Sequence, residues 1–261
     1  MSNEPTPSPQ PDPPARIAVA GGTGTVGRHV VEIARRRGHD VVVLSRTTGV
    51  DLVAGTGLEE ALHGVQVVVD VSSQVSQKSS ESRDFFGTVT RNLLAAEAGA
   101  GVGHHVALSI VGIDRAPHGY YAGKVLQEEL VRASEVPWSI LRATQFHEFA
   151  SQIHGAVTLG PLHVVPRMLS EPVAAAEVAD RLVDVATAPA AGRVRDLGGP
   201  RRERMVDMVR RWASATGRPG RVVAVPLPGA LGRAMRDGSL VTGADADHGT
   251  TTFDQWLETV R

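Results

Sequence analysis

The sequence predicts an α/β fold, a doubly wound parallel sheet with a small C-terminal lobe, from three observations. Short apolar runs alternate with stretches of helical periodicity, which is how a parallel sheet wrapped by helices reads. The first run, Ile17 to Ala20, is small and apolar at every position, as a strand covered on both faces must be. It leads directly into Gly21-Gly-Thr-Gly-Thr-Val-Gly27 and then a helical pattern, and this strand–turn–helix order gives the fold a Rossmann-type character.

The elements follow from local pattern. Arg16–Ala20 is the first strand, and the helix Val26–Arg37 carries Val30, Val31, Ile33 and Ala34 on its apolar side. Asp40–Ser45 is the second strand. The stretch from Ser45 to Val65 is short for a full strand–helix pair, so a cramped third strand near Val50–Leu52 and a brief helix over Leu58–Leu62 are expected. Strands at Val65–Val71, His104–Ser109 and Trp138–Arg142 alternate with helices at Ser82–Ala98, Tyr120–Ser134 and Ala175–Thr187. Val194–Gly198 is a weaker strand pattern. After Phe146 the chain becomes less periodic and richer in Pro and Gly, through Ser151–Arg167, a helix over Arg201–Thr216, a strand over Arg221–Pro226 and a last helix over Phe253–Thr259. The implied division is a Pro-rich disordered tail over residues 1–15, a Rossmann core over 16–148 and a substrate lobe over 149–261, with residues 193–199 returning to the sheet.

Composition excludes several function classes. With 27 basic and 28 acidic residues the net charge is −1, so no nucleic-acid surface is expected. The chain has no cysteine, which removes disulfides, thiolate metal sites and cysteine nucleophiles. The ten histidines show no ligand set, so no metal is expected. No apolar run approaches the ~20 residues of a membrane span, and Met1 to Pro14 lacks the regions of a signal peptide. A cytoplasmic protein with a small-molecule substrate is the expectation; no oligomeric state is legible.

The glycine loop is the strongest chemical signal. A strand, a Gly turn and a helix N-terminus together present backbone N–H groups and the positive end of a helix dipole to a diphosphate. Gly21, Gly22, Thr23, Gly24, Thr25, Val26 and Gly27 are therefore the candidate pyrophosphate cradle of a dinucleotide. Arg46 follows the second strand, where a cation accommodates a ribose 2′-phosphate and an acid would select the free hydroxyl. With Ser45, Thr47 and Thr48 beside it, Arg46 favours NADP(H) over NAD(H), and Asp51, the nearest acid, lies too far on. Ser72 and Ser73 end the fourth strand, Val65–Val71, where the adenosine side of a cofactor passes.

A second signal is a matter of scarcity. The only lysines are Lys78 and Lys124, and the only tyrosines are Tyr120 and Tyr121. Tyr120 and Lys124 stand four apart, hence on one helical face. A phenol is a poor acid–base catalyst at neutral pH unless a nearby ammonium stabilises its anion, and the same ammonium can hold ribose hydroxyls. Ser109 closes its strand at the edge where ligands of such sheets collect, with Pro117 and Gly119 turning the chain back toward Tyr120. Lys124 thus counts both as a catalytic and as a cofactor-binding candidate. Phe146, His147 and Phe149, just past the strand ending at Arg142, are candidate substrate contacts.

These motifs together, with the three-apart spacing of Gly21, Gly24 and Gly27, Asp84-Phe-Phe-Gly-Thr-Val-Thr-Arg-Asn-Leu-Leu94, Leu108-Ser-Ile-Val-Gly-Ile-Asp114 and Ser139-Ile-Leu-Arg-Ala-Thr-Gln-Phe-His-Glu-Phe149, resemble the NmrA-like branch of the atypical short-chain dehydrogenase/reductases. The likeness covers residues 16–200 closely and the C-terminal lobe loosely. It implies NAD(P)H binding, with Ser109, Tyr120 and Lys124 matching the residues that polarise a carbonyl, donate a proton and orient the cofactor. The expected activity is an NADP(H)-dependent oxidoreductase reducing a carbonyl, enone or quinone. The alternatives are a non-catalytic redox-sensing regulator and a non-redox cyclase or epimerase.

Overall fold

A computed structural model describes residues 14–74, 76, 78–218 and 220–260 of the chain. Most of the expected Pro-rich tail, residues 1–13, lies outside the described residues.

Among the described residues, eight parallel strands form the central sheet. In chain order its core is β1 (Arg16–Ala20), α1 (Gly27–Arg36), β2 (Asp40–Leu44), α2 (Leu58–Ala61), β3 (Val67–Asp70), α3 (Ser79–Ala100), β4 (His104–Ile110), α4 (Tyr120–Arg132) and β5 (Trp138–Ala143). The chain continues through α5 (Phe149–Ala156), the hairpin β6 (Thr158–Leu159) and β7 (Leu162–Pro166), β8 (Leu169–Ser170) and α6 (Ala175–Thr187). It then forms β9 (Gly192–Arg193), β10 (Leu197–Gly198), β11 (Glu203–Arg204), α7 (Met205–Ala215), β12 (Arg221–Val225), α8 (Gly229–Arg236), β13 (Asp247–His248) and α9 (Phe253–Glu258). The sheet order is β2-β1-β3-β4-β5-β10-β13, with β9 also paired to β5. The order reverses beside β1, so β1 and β3 diverge at a topological switch point, where ligands of such sheets sit beyond the strand C-termini.

Strand periodicity divides the core into two layers. Ile17, Val19, Val67, Val69, Val106 and Leu108 face α1 and α6, while Ala18, Ala20 and Val68 meet Val89 and Leu93 of α3. A second core, built from Met205, Met208, Val209, Trp212, Phe253 and Leu257, holds the C-terminal lobe.

The structure corrects the sequence division in three places. No strand forms at Val50–Leu52: Arg46–Thr48 is a 3-10 turn, Asp51 makes one antiparallel bridge to Thr56, and buried Val50, Leu58 and Leu62 close the sheet edge instead. The helix α6, assigned by sequence to the lobe, packs into the sheet's core with α1. The strand expected over Val194–Gly198 shortens to β10, β9 forms separately just before it, and β13 adds a further parallel strand from near the chain's end.

Candidate functional site

The glycine loop is tight because its backbone is packed on itself. Gly21 takes φ +80°, and a Cβ there would lie 2.8 Å from the Val71 carbonyl oxygen. A Cβ on Gly27 would lie 2.1 Å from the Gly21 oxygen and 2.7 Å from Gly22 Cα, so helix α1 can start this close to β1 only without a side chain. The loop is closed by Gly24 N–H donating to Gly21 O at 2.9 Å and Arg28 N–H to Gly24 O at 3.1 Å. Helix α1 has neither a side-chain cap nor an acid in its first turn, leaving its positive end for an external anion. Thr23 and Gly24 are exposed and Thr25 half-exposed; Gly22, Val26 and Gly27 are buried, so they can offer only main-chain atoms. Such a cradle, filled by any Cβ, fits a dinucleotide pyrophosphate.

At the end of β2 the hydroxyls organise the turn and leave the cation free. Ser45 N–H donates to Thr48 Oγ1 at 3.1 Å, Ser45 Oγ lies 2.8 Å from Thr47 Oγ1, and the Arg46 side chain is exposed. Asp51 is occupied locally: its carboxylate accepts from the amides of Ala54 and Val53, which hold it below the usual carboxylate range.

Tyr120 is brought to this edge by its neighbours on α3. Ser79 Oγ accepts from Gly119 N–H at 2.8 Å, and Ser82 Oγ donates to the Tyr120 carbonyl at 2.8 Å, which fixes the start of α4. The Tyr120 hydroxyl lies 2.8 Å from Ser73 Oγ, and its ring meets Phe86 edge to face. Ser73 follows Ser72, whose backbone is what a Cβ on Gly21 would strike. Phenol and glycine loop are thus joined through two consecutive serines. Ser72 Oγ itself is buried with no partner among the described residues.

Three candidates sit differently from expectation. Lys124 is 4% exposed and its hydrogen bonds go elsewhere than the phenol: its ammonium donates to the Leu108 carbonyl at 2.5 Å and to Gln127 Oε1, and lies 4.7 Å from the Phe86 ring centre. Tyr120 therefore has its pKa pushed above 10 by burial, with only the Ser73 bond opposing, instead of being lowered by the lysine. Ser109 is 2% exposed on the β4 face toward α4; its hydroxyl is directed at Glu128 just short of full hydrogen-bond geometry, so it is no free carbonyl donor. His147 is completely buried, donating from Nε2 to the Thr251 carbonyl at 3.0 Å and packed between Phe253 and Trp256 of α9. It is a core residue, because the chain's last helix folds over it. Phe146 packs against the sheet's core and Phe149 against that of the lobe.

Sequence reasoning missed the polar groups beneath the site. Gln127 Nε2 donates to Asp70 Oδ2 at 2.7 Å, and Asp70 Oδ1 accepts from Ser72 N–H at 2.9 Å. Arg142, 2% exposed, donates to Glu128 at 2.7 Å and to Asp114 at 3.0 Å, tying α4 to the turn after β4. Burial pushes Glu128 up, but the Arg142 bonds, with Ser109 and Arg132 nearby, win and hold it below its ordinary value. The available signals were Gln127 and Glu128 one turn beyond Lys124, and Asp70 as the sole charge closing an apolar strand.

Burial drives the Lys124 pKa down from 10.5 to about 8, with Asp70 and Glu128 opposing. The unfolded chain keeps that proton up to about pH 10.5 and the folded chain only to about 8, so folding releases it in between and stability rises with pH across that window. Below about pH 8 both states are charged and the burial cost is fully present. Lys124→Met is expected to stabilise the chain by about 1–2 kcal/mol at pH 7, part of the gain being offset by the acceptors left without a donor. Urea unfolding should show that advantage shrinking from pH 8 toward 10; a constant advantage would contradict a charged lysine at this position.

Among the described residues, no helix is long and apolar enough to cross a membrane, and no group of three His, Asp or Glu could hold a metal. Photosystem II assembly factor Ycf39 of Synechocystis sp. is 33% identical over 110 residues, 37% of this chain but only 34% of that protein's length. Among solved structures, MoeE5 in complex with UDP-glucuronic acid and NAD has a TM-score of 0.72 at 18% identity, covering 94% of this chain and 97% of that one. The NADPH-dependent quinone oxidoreductase QOR2 of Escherichia coli has a TM-score of 0.64 at 18% identity, covering 94% and 99%. At these identities the likeness carries the fold alone. A family model described as NAD(P)H-binding matches residues 21–189, from the first glycine of the loop to just past α6, and the chain belongs to that family.

Proposed function

We propose that the protein is an NADP(H)-dependent reductase of the NmrA-like type, acting on a ketone, enone or quinone of modest size. The observation that carries this reading is the Tyr120 hydroxyl held by Ser73, two serines from the glycine cradle. The bound cofactor would supply hydride equivalents. Tyr120 would then hand a proton to the oxygen of the reduced substrate, its phenol kept protonated through the neutral range by burial. Lys124 would meet the ribose hydroxyls by turning from the Leu108 carbonyl. Ser72 Oγ, lacking a partner, is available to the cofactor.

Arg46 is assigned to the 2′-phosphate, since its side chain is exposed and no carboxylate of the described residues lies within 4.0 Å of it. Titration with NADPH and NADH tests this. Arg46→Ala should weaken NADPH about 10- to 100-fold, the worth of one charge-assisted contact, and leave NADH unchanged. Equal weakening of both would remove the preference from Arg46.

One observation favours a second reading, a redox-sensing regulator that binds NADP(H) without turnover: Lys124 is engaged with Leu108 and Gln127, not with the phenol. Steady-state NADPH oxidation with a panel of carbonyl compounds and quinones separates the two. Label from deuterated cofactor reaching the product would dismiss a non-redox cyclase or epimerase.

A further inference from the structure

Two charges and an amide fill a space that apolar side chains could occupy. Asp70 is fully buried at the end of β3 and Lys124 nearly so on α4, and desolvating both is costly unless they are closely engaged. Gln127 sits between them. Its amide can lie only one way: Oε1 must face the ammonium, which has donors alone, and Nε2 must face the carboxylate, which has acceptors alone. The second Asp70 oxygen is fixed by Ser72 N–H, so the carboxylate cannot rotate freely.

We propose that Asp70 and Gln127 are positioning residues for Lys124: the carboxylate orients the amide, and the amide oxygen fixes the ammonium against the Leu108 carbonyl. This deepens the reductase reading, in which Lys124 meets the cofactor ribose, but the relay itself is a property of the chain alone. A carboxylate whose effect runs through an amide holds the lysine in place without forming a direct ion pair. The ammonium can then leave for another acceptor without tearing a salt bridge.

Burial is the largest influence on Lys124, and among the charged groups around it Asp70 is the leading attraction. On α4, Glu128 lies near Lys124 but is engaged by Arg142 and Arg132, and Tyr120 is protonated. On β4, the buried His105 is paired with Glu97 of α3 at 2.8 Å and bears an opposing charge when protonated. The other group on α3 is the Phe86 ring, attractive to a cation but uncharged. Asp70 is thus the one carboxylate near Lys124, among the described residues, with no cationic side chain paired to it.

The scarcity of lysine makes the test direct. Labelling lysine at Cε and Nζ in the full, cofactor-free chain yields signals from Lys78 and Lys124 alone, with exposed Lys78 as internal reference. Lys124 should titrate near 8. Asp70→Asn, which keeps shape and removes charge, should lower its midpoint by about one pH unit or more, since an attraction to the charged form is lost. Gln127→Met, near in volume, should lower it too, and the double variant should fall short of the sum of the singles. Should Asp70→Asn fail to fold, Gln127→Met carries the test. A Lys124 midpoint unmoved in the folded variants, or shifts that simply add, overturns the relay. NADPH affinity is read separately. If the midpoint moves while Lys124→Met leaves NADPH affinity intact, the relay stands and the ribose role of Lys124 falls.

Discussion

Gly27→Ala is expected to lower dinucleotide affinity by about 1000-fold or more, equivalent to ~4 kcal/mol. The methyl group would sit 2.1 Å from the Gly21 carbonyl oxygen and 2.7 Å from Gly22 Cα, and both neighbours are main chain. No rotamer relieves such a contact. Helix α1 must back away from β1, and the amides that line the cradle then lose their common focus. The same displacement should destabilise the fold by roughly 3 kcal/mol, the upper range for forcing an extra methylene into a close-packed contact. Calorimetric titration with NADPH and urea unfolding measure the two effects. Gly24→Ala is the control: its Cβ would be 3.2 Å from the Gly21 oxygen on an exposed residue, so the fold should hold while binding weakens only modestly. Native affinity in a folded Gly27→Ala protein would dismiss the loop as the pyrophosphate site.

Tyr120→Phe should reduce carbonyl turnover by about 10²- to 10⁴-fold, the range for losing a positioned proton donor. Its fold should change by no more than ~1 kcal/mol, because the one hydrogen bond lost is to Ser73, which is exposed and can turn to water. NADPH affinity should be unaffected, so the loss appears in kcat and not in binding. Because burial holds the phenol above 10, the native rate should stay flat through the neutral range on the acid side of that group. Steady-state NADPH oxidation against pH for both proteins checks this. Full activity in the phenylalanine variant would remove Tyr120 as the proton donor.

Local signals account for what the sequence made legible. The helix Ala175–Thr187 is legible with its observed bounds, because Val178, Ala179, Leu182, Val183 and Ala186 recur at helical spacing between a proline and an Ala-Pro stop. β1 and the glycine loop were equally plain, since each residue there answers a backbone requirement. Two-residue strands such as β8, β10, β11 and β13 carry no period to detect, and they exist only because distant segments pair. The site followed the same rule. Tyr120 and Lys124 share one helix and were found together, but the direction in which Lys124 points depends on Leu108 and on Asp70, which no local pattern connects to it. The burial of His147 is set by Thr251, 104 positions away.

The order of pairing at one side of the sheet limits how the two cores can move. β10 and β13 lie next to each other, yet α7, β12 and α8 of the lobe are threaded between them in the chain. Glu177 of α6 adds a clasp, accepting from the amides of Thr250 and Thr251 at 2.7 and 3.0 Å just before α9. A jaw-like opening of the lobe would have to unzip this braid and release the clasp together. A swing of one half from the other therefore carries the cost of the β10–β13 pairing and of the Glu177 bonds at once.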